Sequence, residues 1–316
     1  MQVPLAHQHM LSVLHSELPA DARSVCILDV GCGDGRLMAL LYKGLRAQRP
    51  GLEIDIRGFD VSDPGVQKPN FFAATRALLE REIPGVDWSS RLELIAARDR
   101  WPYPDGSFDW VISNQVLEHV EDHAFLLSEI ARALKPSGRS AHLFPVLENV
   151  LEGHVHIPCS HWIHDRRRLV RYIRFMTALG FGNFRQQQRE DPRLDQALFA
   201  ETRADYLLHL TNYFTTKDLV GIARSAGLRC TFQYTEHFYW NKLRSLLRMP
   251  PVVTFRPVAP GVLHGMLVAA FSRISCVTAL LEKKPELAPG AAPNALARRS
   301  QTEPSVQRLA ARSTES

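Results

Sequence analysis

Cysteine is scarce in this chain and unpaired by spacing: Cys26, Cys32, Cys159, Cys230 and Cys276 form no C-x-x-C pair. A disulfide-stapled scaffold is thereby excluded, and a reducing compartment, the cytoplasm, is the expected home. The N-terminus lacks a basic segment followed by an apolar run and a small-residue cleavage site, so no secretory signal is expected. Long apolar runs are missing too. The most apolar late stretch, Val262 to Phe271, has about half of the roughly 20 residues that a spanning helix needs. It cannot cross a bilayer, although it could lie on one. Charge of one sign is weak. The formal net charge is +5, and much of the excess sits in Arg166, Arg167, Arg168, Arg171 and Arg174 and in the late arginines Arg298, Arg299, Arg308 and Arg312. Basic residues do not interleave with stacking aromatics, so no nucleic-acid partner is expected. No internal repeat is visible.

What is present is a core of ordinary size. With 316 residues, 45% hydrophobic and 22% charged, the chain can hold one large domain with insertions or two modest ones. The stretch SVCILDVGCGDGRLMALL, Ser24 to Leu41, reads as a buried strand, then a glycine turn, then a helix. Gly31, Gly33 and Gly35 let the turn approach a ligand without Cβ atoms in the way. Strand-like and helix-like runs then alternate to about Leu147. Strands are predicted at Val25–Val30, Ile54–Asp60, Leu92–Ala97, Trp110–Asn114 and Ser140–Val146. Helices are predicted at Arg36–Gln48, Asn70–Glu82 and Glu121–Leu134, the last stopped by Lys135, Pro136, Ser137 and Gly138.

That order implies a doubly wound, mostly parallel α/β sheet. The organisation expected is an N-terminal helix in 1–23, a core in 24–147, a helical substrate-covering insertion in 148–214 and the rest of the core in 215–284. The insertion carries predicted helices near Asp165–Leu179 and Arg193–Leu210. In the last part of the core, Thr215 and Asp218 read as a capping box and Gly227 as a helix end, with strands at Leu228–Tyr239 and Cys276–Glu282. Residues 285–316, rich in Pro, Ala, Ser, Arg and Gln, read as a disordered tail.

Two ligand classes use a glycine turn after the first strand of such a sheet. Dinucleotides want G-x-G-x-x-G. Here the spacing is G-x-G-x-G, with Arg36 where the third dinucleotide glycine would fall. The pattern Asp29-Val-Gly-Cys-Gly-Asp-Gly instead resembles the first motif of the class I S-adenosylmethionine-dependent methyltransferases of the type 11 group. So do Asp60 at the end of the second strand, WPYPDGSFDWVISNQVLEHV from Trp101 to Val120, and EIARALKPSGRSAHLF, in which Ser137 replaces the first glycine of a Leu-Lys-Pro-Gly-Gly turn. GLRCTFQY and CVTALLEKK resemble the family's last two strands, which run antiparallel.

The resemblance implies a seven-stranded Rossmann-like sheet with an antiparallel last strand, and S-adenosyl-L-methionine as methyl donor. It implies cofactor contacts from Asp29, Gly31, Cys32, Gly33, Gly35, Asp60, Val61 and Asn114. Ala97 stands where the family often has an adenine-contacting Asp, so Asp99 from a shifted loop, or a backbone amide, is expected to serve. The donor carries an ammonium and a sulfonium but no phosphate, which suits carboxylates at the strand ends.

LEGHVHIPCSHWIHDRRR packs His154, His156, Cys159, His161 and His164 beside Glu152 and Asp165. No pair has the spacing of a zinc ribbon or finger, so no metal site is expected. The loop follows the fifth strand, at the end of the sheet where ligands collect. His154 and His161 are therefore the candidate general bases, with His119 in reserve. The expected acceptor is a small molecule or glycan, methylated on oxygen or nitrogen. A lipid or quinone at a membrane surface is the second expectation, and a non-catalytic nucleotide-binding interaction module is the non-enzyme alternative.

Overall fold

Runs of apolar, β-branched residues that are covered on both faces become the central strands here, and the polar-flanked helical runs become the layers that cover them. The computed structural model describes residues 3–62, 70–256 and 261–284. The predicted tail, 285–316, lies outside the described residues. In chain order the elements are α1 (Leu5–Glu17), β1 (Ser24–Val30), α2 (Arg36–Gln48), β2 (Glu53–Val61), α3 (Phe71–Glu82), β3 (Leu92–Ile95), β4 (Phe108–Asn114), α4 (His123–Ala133) and β5 (Leu134–Pro145). An insertion follows, with α5 (Arg166–Ala178), α6 (Phe184–Glu190) and α7 (Gln196–His209), and then α8 (Thr216–Ser225), β6 (Leu228–Thr231), α9 (Thr235–Leu246), α10 (Val262–Phe271) and β7 (Cys276–Lys283).

The seven strands form one sheet in the order β3-β2-β1-β4-β5-β7-β6. The first five run parallel, and β7 runs antiparallel to both β5 and β6. Alternate residues feed opposite layers. Ile27 and Ile112 face a core built with α1, α2, α3 and α9, while Leu28 and Val111 face one built with α4 and α8. The insertion has its own smaller core, in which Val155 and Ile157 pack on Leu169, Ile173, Phe199 and Ala204. Its two longer helices, α5 and α7, start on side-chain caps: Arg168 N donates to Asp165 Oδ1 at 2.8 Å and Leu198 N to Asp195 Oδ1 at 2.7 Å. The capping box of α8 is formed by Thr215 and Asp218 as expected.

Three expectations are corrected. Leu228–Tyr239 is not one strand: β6 ends at Thr231 and α9 begins at Thr235. The Thr-Phe-Tyr content gives this segment strand character, but burial on a helix face overrides it. Thr235 Oγ1 accepts from Thr278 N of β7 at 3.1 Å, and the Tyr239 ring stacks on Phe271 of α10 at 4.3 Å. β5 begins at Leu134 rather than Ser140, so Lys135 to Gly138 lie inside the strand, where the register against β4 shifts between Phe108 and Trp110. Such a shift is where a strand tolerates proline. The third change is α6, which the pattern did not predict, in a polar segment with no buried residue.

Candidate cofactor and acceptor site

The strand order reverses between β1 and β4, and a ligand crevice forms beyond the carboxyl ends of strands at such a point. There the structure holds a cavity of about 840 Å³, within the range of small-molecule and cofactor sites, about 300–1,000 Å³. Asp29, Gly31, Cys32, Gly33, Asp60, Val61 and Asn114 all line it.

The glycine turn is shaped for the approach. Gly31, Gly33 and Gly35 have φ of 67°, 51° and 74°, the left-handed region that glycine enters freely. At Gly31 a Cβ would stand 2.7 Å from Val116 Cγ2, so a side chain there would push on the cavity wall. The turn is tied to β2, since Gly31 N and Cys32 N both donate to Phe59 O, at 2.9 and 3.0 Å. Gly33 N donates to Asp60 Oδ2 and Val61 N to Asp60 Oδ1, each at 2.8 Å.

Asp29 is 1% exposed, and its Oδ2 has no hydrogen-bond partner. Burial first, then the charges of Asp60 and Asp34, push its carboxyl well above the ordinary range. The side-chain oxygen of Asn114 is also buried without a partner. Two strand-end carboxylates and an orphan amide oxygen suit a ligand that brings positive charge and donors. They repel a phosphate.

Two expected contacts fall elsewhere. Gly35 does not line the cavity. It is the residue before α2, and a Cβ there would meet Leu79 and Thr75 of α3 at 3.0–3.1 Å, so it serves helix packing. Asp99 is exposed and lies off the wall, while Ala96, Ala97 and Arg98 line it. Asp99 N closes a turn onto Ala96 O at 3.0 Å, which turns the chain so that the residues before Asp99 face inward.

The rest of the lining comes from distant segments: His7 of α1, His119 to Asp122 after β4, Phe125 of α4, and His209 and Leu210 at and just after the end of α7. His119 Nδ1 donates to Leu210 O at 2.6 Å. That bond fixes the neutral tautomer and leaves Nε2 with its lone pair. Burial lowers the His119 pKa, against the raising effect of the Leu210 bond, so the ring stays neutral near pH 7.

His154 stands behind it, ring centroids 5.1 Å apart, with its side chain 21% exposed. The buried Glu152 orients it. Glu152 accepts from His154 Nδ1 at 2.7 Å, Tyr213 Oη at 2.6 Å, Val155 N at 2.6 Å and His154 N at 2.8 Å. Burial alone would raise this carboxyl, yet the bonds from His154, Tyr213 and Val155 together hold it at about 2. Glu118 is the contrary case. It is fully buried, neither oxygen has a hydrogen-bond partner, and burial pushes it up to about 8.

One ligand atom from each of Glu118, His119 and His154 lies within 4.8 Å of the others, a group that could hold a metal ion and that the linear spacing did not show. His161 is not part of this group. Its ring lies 4.9 Å from Tyr213, its Nε2 is 3.3 Å from Leu147 O, and it does not line the cavity. His7, Tyr206, Tyr213 and Leu210 were invisible to motif reading, because α1 and the 206–213 segment reach the site only through the fold.

A glycine turn, strand-end acids and this sheet order define a class I S-adenosylmethionine-dependent methyltransferase domain. Residues 28–142 match the family model described as a methyltransferase domain. The methyl donor of this domain is S-adenosylmethionine. Over 115 residues the chain is 29% identical to 27-O-demethylrifamycin SV methyltransferase of Amycolatopsis mediterranei, covering 36% of this chain and 36% of that protein. Over 112 residues it is 31% identical to ubiquinone biosynthesis O-methyltransferase of Thiobacillus denitrificans, covering 35% and 40%. The matches thus span about two fifths of these relatives' length. Among solved structures, an S-adenosylmethionine-dependent methyltransferase of Mesorhizobium loti aligns over 89% of this chain and 100% of its own, at 14% identity and a TM-score of 0.48.

Proposed function

We propose that this chain transfers a methyl group to a hydroxyl of a small-molecule or glycan acceptor, with His119 as the base that takes the hydroxyl proton. The observation that carries the reading is the neutral His119, fixed through Nδ1 by Leu210 O, lining the same cavity as the acids of β1 and β2. The bound donor supplies an electrophilic methyl on a sulfonium. Asp29, Asp60 and Asn114 would hold the donor's polar ends, and Gly31 and Gly33 would let it lie close to the chain. His119 Nε2 accepts the hydroxyl proton, and the ionised Glu152 behind His154 steadies the positive charge that develops on the imidazoles. Holding the partners together can be worth about 7–11 kcal/mol, and a positioned base about 10²–10⁴ in rate. The names of the two relatives, which read rifamycin and ubiquinone, support oxygen on a small molecule as the target. The five free thiols agree with work in a reducing cytoplasm.

The test is incubation of the purified chain with methyl-labelled donor and fractionated small-molecule and glycan pools, followed by identification of the labelled product. Label on a hydroxyl, lost in His119→Gln with donor affinity retained, is the expected result. An N-methylated product or an unaffected His119→Gln would overturn the assignment of the base. Loss of activity on chelation, restored by a divalent ion, would replace it with a metal at Glu118, His119 and His154.

A further inference from the structure

Between β6 and β7 the chain inserts α9 and α10, and the cofactor cavity uses neither. α10 reads VLHGMLVAAF. A helix apolar all round is ordinarily buried in protein or in a membrane. This one lies at the surface: Val262 is 83% exposed, Leu263 66% and Met266 65%. The end of α9 adds Leu246 at 82%. Between the helices runs a groove of about 570 Å³, walled by Trp240, Leu243, Leu267, Phe271 and Ile274. Exposed apolar area this contiguous marks an interaction surface.

Its charge identifies the occupant. The one acid of the groove, Glu236, is buried and paired with His264 of α10, and no other Asp or Glu occurs between Thr235 and Ser275, whereas Lys242, Arg244, Arg248, Arg256 and Arg273 do. Lys242 is turned over the rings of Phe238 and Tyr239, at 4.9 and 5.3 Å. Arg248, Arg256 and Arg273 are exposed beside the apolar residues.

We infer that the α9–α10 surface docks on an anionic lipid bilayer, with Leu246, Val262, Leu263 and Met266 entering the headgroup boundary and the arginines meeting lipid phosphates. A second copy of the chain is a poor occupant, because it would bring the same cations to a two-fold contact. No described helix is long and apolar enough to cross a membrane, so the contact is peripheral, of the kind that needs both an apolar face and basic charge. The inference does not rest on the methyl-transfer reading.

Co-sedimentation of the full-length protein with vesicles tests it. Binding is expected to vesicles of phosphatidylglycerol and phosphatidylcholine and to be at least 10-fold weaker to phosphatidylcholine alone, and to fall as salt rises. Each of Arg248→Gln and Arg273→Gln should weaken binding to the anionic vesicles about 5-fold. Leu246→Glu with Leu263→Glu should abolish it, while unchanged S-adenosylmethionine affinity shows that the variant is folded. No binding to anionic vesicles, or equal binding to neutral ones, overturns the inference. So does light scattering that shows a dimer which the leucine variants dissolve without any effect on vesicle binding.

Discussion

The two walls of the cavity solve opposite electrostatic problems. On the cofactor wall, Asp29 is buried with one oxygen unpartnered and other carboxylates nearby, and its cost is offset only when a cation arrives. Behind His119 on the acceptor side, the carboxyls are already quieted. Glu152 is compensated by Tyr213, His154 and two backbone amides, and Glu118 is kept protonated by burial up to about pH 8. One wall attracts charge and holds it. The other keeps the His119 imidazole neutral, so that a proton has somewhere to go. Binding and turnover should therefore be separable by mutation.

The largest expected effect is on the acceptor wall. His119→Gln keeps a side chain that can hydrogen-bond but removes the base, and turnover should fall about 10²- to 10⁴-fold. Donor affinity, measured by calorimetry, should not move. A loss of both together would mean that the two walls act as one.

The mirror experiment is Asp60→Ala. Its carboxylate lines the cavity and fixes Gly33 N and Val61 N. Removing charged hydrogen-bond partners should weaken donor binding by about 1.5–3 kcal/mol, with little change in turnover at saturating donor. An unchanged dissociation constant would show that the donor is held without the end of β2.

The same contrast explains what could be read beforehand. The cofactor wall is local: Asp29, the glycine turn and α2 occupy one continuous stretch, and the predicted helix Arg36–Gln48 is the observed one. Strand-end acids and a left-handed turn leave marks in the residues themselves. The rest of the lining is assembled from segments near 7, 119 and 210, with His154 behind His119 and off the lining, and their meeting is a property of the fold. His154 and His119 were visible as histidines, but nothing in the pattern separated them from His161, which packs behind Tyr213. Period reading also failed where packing overrode propensity, as at Thr235–Tyr239, whose β-prone residues bury a helix face on β7.

Glu118 sharpens the contrast through pH. Burial, helped by the charge of Glu152, raises its folded value from the ordinary 4.5 to about 8. Between those values the folded chain keeps a proton that the unfolded chain releases. Its contribution to stability is therefore full below about pH 4.5 and is lost as pH rises toward 8, at about 1.4 kcal/mol per pH unit. Urea midpoints of the wild type and Glu118→Gln at pH 5, 6 and 7.5 should diverge, the variant gaining relative to the wild type as pH rises. Parallel curves would mean that Glu118 is ionised and has a cationic partner after all.

The smallest expected effect concerns the insertion that carries the acceptor wall. Leu169, Ile173 and Met176 of α5 are buried, while Arg167, Arg168, Arg171 and Arg174 are exposed on the other face. Arg166 alone is locked to another helix, with its Nε and Nη2 on the two oxygens of Asp205 in α7 at 2.6 and 2.8 Å. Both side chains are about half exposed, so solvent screening keeps the pair a minor contributor even with two bonds. Arg166→Ala should lower stability only slightly and leave turnover and donor affinity unchanged, because the apolar contacts between α5 and α7 hold the helices together. A turnover loss above about 10-fold would show instead that the α5 arginines meet an anionic part of the acceptor. In that case Asp205→Ala, which frees Arg166 without removing it, should preserve turnover, and the pair of variants separates the two accounts.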